Sequence, residues 1–179
     1  REKRANMIKV VLTGPECSGK TTLSTLIANS FNLPLVPEYA REFLNKLDRP
    51  YKYDDLVKIA KGQLSLEKKH EQKKNKKSIL ICDTDLQVIK MWSKIKYSKC
   101  SPFILKNEPS DNFYVLCSPD FDWAYDPLRE NPSNRWEIFN HYKTDLTNNN
   151  RRFIIVKGTI HNRFTLISDL IKDLISSTV

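Results

Sequence analysis

The chain has 179 residues, 40% of them hydrophobic and 28% charged, with only four glycines and a formal net charge of +9 at pH 7. That composition suits one packed domain without disulfides or metals, residues 1–179 together, and excludes wholesale disorder, collagen and Gly-rich linkers. No apolar run approaches the roughly 18 residues that cross a bilayer, and the four cysteines form no CxxC pair; both features predict a soluble protein of the reducing cytoplasm, with no membrane partner.

After a charged extension at residues 1–6, the first element is Ile8 to Thr13 (IKVVLT), a β-branched run of strand length. It meets Gly14 just ahead of helical character from Lys20 to Phe31. Further strand-length runs follow at Leu35-Val36, Ile79 to Cys82 (ILIC), Phe113 to Cys117 (FYVLC) and Phe153 to Val156 (FIIV). Continuously apolar runs of this kind suit strands covered on both faces, as in a parallel sheet. Helical patterns lie between them, at Tyr39 to Leu47, Asp54 to about Asn75, Leu86 to Ile95, Arg135 to Leu146 and Arg163 to Ile175. Strands alternating with helices predict an α/β sandwich. Ser118 to Asn134 (SPDFDWAYDPLRENPSN) has three prolines and no periodicity, and a loop that long in a compact domain is usually functional or mobile.

The basic run Lys68 to Lys77 (KKHEQKKNKK) holds six lysines and one glutamate, so it carries five of the nine excess charges. It has two readings. It is a solvated helix end, where cations suit the dipole, or a patch that grips nucleic acid in a nucleotide-dependent regulatory module. The helix end is the simpler reading, because the run is short and lacks interleaved aromatics.

Gly14-Pro15-Glu16-Cys17-Ser18-Gly19-Lys20-Thr21 matches G-x-x-x-x-G-K-[ST] between a strand and a helix, the context that a phosphate-binding loop requires. Backbone N–H groups and the helix N-terminus cradle phosphate there. Lys20 then reaches the β- and γ-phosphates of ATP, and the Thr21 hydroxyl ligates Mg²⁺.

Asp83 and Asp85 follow the third strand run, at the sheet edge where ligands bind in open α/β folds. One suits the metal and the other an attacking hydroxyl, although Asp85 also reads as the cap of the next helix. Glu38 follows the second strand run, positioned to accept from sugar hydroxyls and to serve as general base, unless it only opens a surface helix. Tyr39 or Tyr53 offers a ring face to a planar base. Arg129 and Arg135 supply cations from the long loop, and Trp123 is either loop packing or a substrate stack.

The segments GPECSGKTTL, VPEYAREFL, DTDLQVIKMW and LCSPDFDWAYDPLREN, in this order, resemble the nicotinamide riboside kinase domain of NadR-type proteins, within the AAA-domain set of P-loop ATPases. The resemblance implies a five-stranded parallel sheet flanked by helices, with residues 118–135 as a lid. It implies transfer of the ATP γ-phosphate to the 5′-hydroxyl of nicotinamide riboside, giving nicotinamide mononucleotide, with another nucleoside or a thiamine-like alcohol as the alternative acceptor. Carried onto this sequence, Gly14 to Thr22, including Thr22, hold the triphosphate. Asp83 and Asp85 serve metal or catalysis, Glu38 and Arg41 face the substrate, and Arg129 acts from the lid. Gly158 and Thr159 occupy the position near adenine.

Overall fold

The computed structural model describes residues 7–72 and 79–177; the extension at 1–6 and the Lys73–Lys77 part of the basic run lie outside the described residues. Among the described residues five strands form one sheet: β1 (Ile8–Thr13), β2 (Leu35–Val36), β3 (Ile79–Asp83), β4 (Phe113–Cys117) and β5 (Arg152–Val156). Their order is β2-β3-β1-β4-β5, and every neighbouring pair is parallel. β1 is therefore central, with Val10 opposite Ile81 on one side and Phe113 on the other.

The period-2 alternation of the strands sorts the core into two layers. Val10, Leu12, Ile79, Ile81, Val115 and Cys117 face α1 (Lys20–Ser30) and α7 (Ile160–Ser176), meeting Leu23, Ile27, Ile167 and Ile171. Val11, Leu80, Cys82, Tyr114 and Leu116 face the opposite way, toward α4 (Leu86–Tyr97) and α6 (Arg135–Asn148) through Met91, Ile138, Phe139 and Tyr142. All five residues of β3 are buried, as its unbroken apolar run predicts. A satellite cluster joins α2 (Tyr39–Asn45), α3 (Tyr53–Gln72), α4 and α5 (Pro102–Asn107) around Leu56, Ile59, Leu86 and Ile104.

The expected elements are present with shifted ends. The last helix starts at Ile160 rather than Arg163, because the Thr159 side chain caps it by accepting from the Asn162 N–H. α5 has no counterpart among the expected helices, although Ser101 at its N-cap and Pro102 at its first position are its sequence signature. The 118–134 segment contains neither helix nor strand.

Two local features tie the helices to one another. Lys90 of α4 is 2% exposed and paired with Glu108 at 2.7 Å and Asp145 at 2.6 Å, which ties α4 to α6 and to the chain after α5. Gly62 of α3 leaves room for the Tyr39 ring, which occupies the space where a Cβ would stand. α2 thereby packs directly on α3.

Candidate functional site

The phosphate-binding loop leaves β1 at Thr13 and enters α1 at Lys20. Gly14 has φ +131°, and a Cβ there would lie 2.6 Å from the Cys117 carbonyl oxygen, so only glycine lets the loop cross the end of β4. Ser18 Oγ donates to the Pro15 carbonyl at 2.8 Å, and Lys20 Nζ bends back to the carbonyls of Gly14 and Pro15 at 3.0 and 2.6 Å. The outer side of the loop rests on Arg163, which is fully buried. Its guanidinium donates to the carbonyls of Ser18, Ser118 and Gly158 at 2.9, 3.1 and 2.8 Å and to Asp120 at 2.8 Å. One side chain thus joins the loop to the ends of β4 and β5.

In front of the loop opens a cavity of about 590 Å³. All nine residues from Gly14 to Thr22 line it, with Glu38 at the start of α2 and Arg41 within it, Arg129 to Asn131 from the 118–134 segment, and an apolar wall of Leu44, Val88, Trp92, Ile95, Ile138 and Tyr142. Volume and lining suit a small-molecule site, with apolar side chains set among charged groups.

Asp83, at the end of β3, is 4% exposed. Burial pushes its carboxyl above the ordinary aspartate value, while the Thr21 hydroxyl and the charges of Lys20 and Arg41 pull the other way. Its Oδ1 is buried with no hydrogen-bond partner among the described residues. A buried carboxylate oxygen left unpaired beside a hydroxyl and a lysine is costly unless a cation completes it. Glu38 is half-buried; burial raises its pKa, the Lys20 charge lowers it and the Asp83 charge raises it again. Although Glu38 is the N-cap residue of α2, its side chain makes no capping bond.

Asp85 is not brought to this cleft. It is fully buried, caps α4 by accepting from the Gln87 N–H at 2.9 Å, and accepts from Asn112 Nδ2 at 3.0 Å and from the Tyr114 hydroxyl at 2.8 Å. With its oxygens occupied it cannot meet a ligand; burial and the nearby Glu67 charge push its pKa up to about 6. Its role is to hold the turn. Between the two aspartates, Thr84 is left-handed at φ 71°, a conformation costing a β-branched residue on the order of 1–3 kcal/mol, and the cap on Asp85 keeps the chain in it.

The aromatic expectations also change. The Tyr39 ring is packed on Gly62, and Tyr53 lies edge-on to Tyr97 under Lys99, 4.2 Å from the ring centroid; neither lines the cavity. Trp123 is loop packing, with the guanidinium carbons of Arg129 and Arg135 at 6.0 and 5.8 Å from its ring. Arg135 donates to the Phe121 carbonyl at 2.8 Å and so fastens the segment instead of entering the cleft. Gly158 donates its N–H to Asp120 and Thr159 caps α7, and neither lines the cavity.

Trp92 and Tyr142 line the cleft without having been singled out from the sequence. A signal existed for Trp92. Val88, Trp92 and Ile95 recur at i, i+4 and i+7, a second apolar stripe on a helix whose core face is already Leu86, Ile89 and Met91.

The family model described as "AAA domain" matches residues 9–163. The trifunctional NAD biosynthesis/regulator protein NadR of Salmonella typhimurium is 29% identical over 174 residues, covering 92% of this chain and 42% of that protein. The chain thus spans less than half the length of this curated relative. Among solved structures, NadR protein in complex with NR superposes with a TM-score of 0.73 at 22% identity, over 93% of this chain and 51% of the other. NadR protein in complex with NAD and AMP-PNP gives a TM-score of 0.71 at 20% identity, over 93% and 49%.

Proposed function

The chain belongs to the AAA-domain family, and from that premise we propose that it is an ATP- and Mg²⁺-dependent kinase that phosphorylates the 5′-hydroxyl of nicotinamide riboside to give nicotinamide mononucleotide, a step of NAD biosynthesis in the cytoplasm. The supporting observation is one cavity with a phosphate loop, two raised-pKa carboxylates and a charged segment at one end and an aromatic-apolar wall at the other. The first end suits a triphosphate and the second a planar base. The likeness to the NAD biosynthesis/regulator protein NadR, and to NadR protein solved in complex with NR and in complex with NAD and AMP-PNP, points the same way.

The loop's N–H groups and the Lys20 ammonium bind the phosphates in place of the loop carbonyls that Lys20 now meets. Thr21 Oγ1 and Asp83 fit a magnesium ion: they are hard oxygen donors, one with an unpaired buried oxygen, and a magnesium that keeps water and phosphate ligands needs few from protein. When bound, that ion neutralises charge on the transferred phosphoryl group. Arg41, paired with Asp126 at 3.0 Å, closes the acceptor end. Glu38 accepts the proton of the attacking hydroxyl, and burial makes it a stronger base than an exposed glutamate. Arg129 presents a cation from the 118–134 segment, which acts as a lid that excludes water.

The test is a panel of acceptors with ATP and Mg²⁺. Nicotinamide riboside should give the highest kcat/KM, ahead of deoxynucleosides and thiamine. A higher value for either alternative would overturn the acceptor, and no transfer to any of them would overturn the kinase.

A further inference from the structure

The 118–134 segment is fastened at one residue on two sides. The N–H groups of Glu130 and Asn131 both donate to the Glu16 carboxylate of the phosphate loop, at 3.1 and 2.9 Å. On the other side, the Glu130 carboxylate accepts from the Tyr51 hydroxyl and from Lys96 Nζ, the latter at 2.7 Å. The Tyr51 oxygen accepts in turn from the Trp92 indole N–H at 2.7 Å and from Lys96 at 2.6 Å, and Lys96 Nζ stands 3.9 Å from the centre of the Tyr51 ring. The path from Trp92 to Glu16 is therefore a continuous chain of hydrogen bonds across four separate parts of the sequence, charge-assisted wherever Lys96, Glu130 or Glu16 takes part.

Its chemistry is firm at neutral pH. Burial pushes the Glu130 carboxyl up, but the bonds from Lys96 and Tyr51 outweigh it and hold the group below the ordinary glutamate value; the Tyr51 phenol is pushed up by burial and by Glu130. Hydrogen bonds to charged groups are stronger than neutral ones, and here they converge on one residue of an irregular loop.

We propose that Glu130 is a positioning residue that links the acceptor wall to the phosphate loop and, through its neighbour Arg129, selects the acceptor over water as the phosphoryl recipient. The inference rests on the kinase reading above. In both reactions the bond between the γ-phosphorus and the β–γ bridging oxygen breaks and ADP leaves with that oxygen. In transfer the new bond is to the acceptor's hydroxyl oxygen, whose proton goes to Glu38; in hydrolysis it is to a water oxygen, whose proton goes to bulk solvent. Trp92 borders the space of the acceptor, so the linkage holds the lid against the wall that the acceptor must occupy. A lid loose at Glu130 would admit water and displace Arg129 together.

The experiment compares the full chain with Glu130→Gln and Tyr51→Phe, measuring ADP release without acceptor and product formation with nicotinamide riboside, both at saturating ATP and Mg²⁺. The ratio of hydrolysis to transfer should rise about tenfold in both variants while the KM for ATP stays within about twofold, the pattern of lost positioning without lost nucleotide binding. Tyr51→Phe removes a single oxygen outside the lid, so it reads the linkage even if Glu130→Gln folds poorly. Rates that fall in parallel, or an unchanged ratio, would overturn the proposal. Should the wild type transfer to no acceptor, the kinase reading fails on its own; acceptor-free hydrolysis still decides the linkage, supported by faster ADP release in the variants and overturned by equal rates.

Discussion

The two ends of the cleft are built by different means. At the nucleotide end, the groups that face the cavity come from consecutive residues, Gly14 to Thr22, placed by a strand, a tight turn and a helix start. At the acceptor end they come from α2, α4, α6 and the 118–134 segment, and what places them is hydrogen bonding between side chains far apart in sequence, such as Tyr51 with Glu130 and Arg41 with Asp126. A site made from backbone tolerates side-chain change outside its few chemical groups. A site made from side chains is open to a change of substrate by single substitutions.

The sharpest test of that contrast is at the loop. Lys20→Ala and Asp83→Asn should each lower kcat/KM for ATP on the order of 10²–10³-fold, the scale for a preorganised group that stabilises transferred charge. Asp83→Asn should also raise the Mg²⁺ concentration needed for half-maximal rate. Near-wild-type turnover would break the assignment of this end.

Glu38→Gln should cost on the order of 10²-fold in kcat as a lost general base. It should also raise Tm at pH 8. Burial puts the folded-state pKa above the unfolded value, so the glutamate's contribution is fully present below its ordinary pKa and lost as pH rises through the folded one. Glutamine escapes that loss, and its Tm advantage should vanish in acid; an advantage independent of pH would point to packing instead.

At the acceptor end, Trp92→Ala should raise the acceptor KM roughly tenfold to a hundredfold, equivalent to about 1.5–3 kcal/mol of lost apolar contact, with the KM for ATP unchanged. If both constants moved together, the two ends would not be separable. The smallest effect belongs to the scaffold between them. Gly62→Ala pushes a methyl into the Tyr39 ring and should destabilise the fold by about 1–3 kcal/mol in a urea titration, with kcat of the folded protein little altered.

This contrast also explains what the sequence made legible. The five strands, the phosphate loop and Asp83 are local patterns: apolar runs, a spaced glycine-lysine motif, a carboxylate at a strand end. Glu38 and Arg41 stand beside such a pattern. Asp85 carries the same local signal as Asp83 two residues earlier, and only the third dimension separates them: across one left-handed residue, one carboxylate faces the loop and the other faces Tyr114. Tyr39, Tyr53 and Trp123 were plausible base platforms because aromatic side chains near a strand end or a long loop carry no sign of what they pack against. Trp92 was written in the second stripe of α4, yet a stripe says only that a face is covered, not whether by core or by ligand.

Arg163 has a consequence for the thermodynamics of binding. A phosphate loop that must be frozen by its ligand spends conformational entropy at the moment of association. Here the guanidinium holds Ser18 and the neighbouring strand ends through carbonyl oxygens, away from the N–H groups that face the cavity, so most of the freezing belongs to folding. ATP would then meet a socket already set, and its stabilisation of the fold would follow mass action, with little added change in heat capacity from loop ordering.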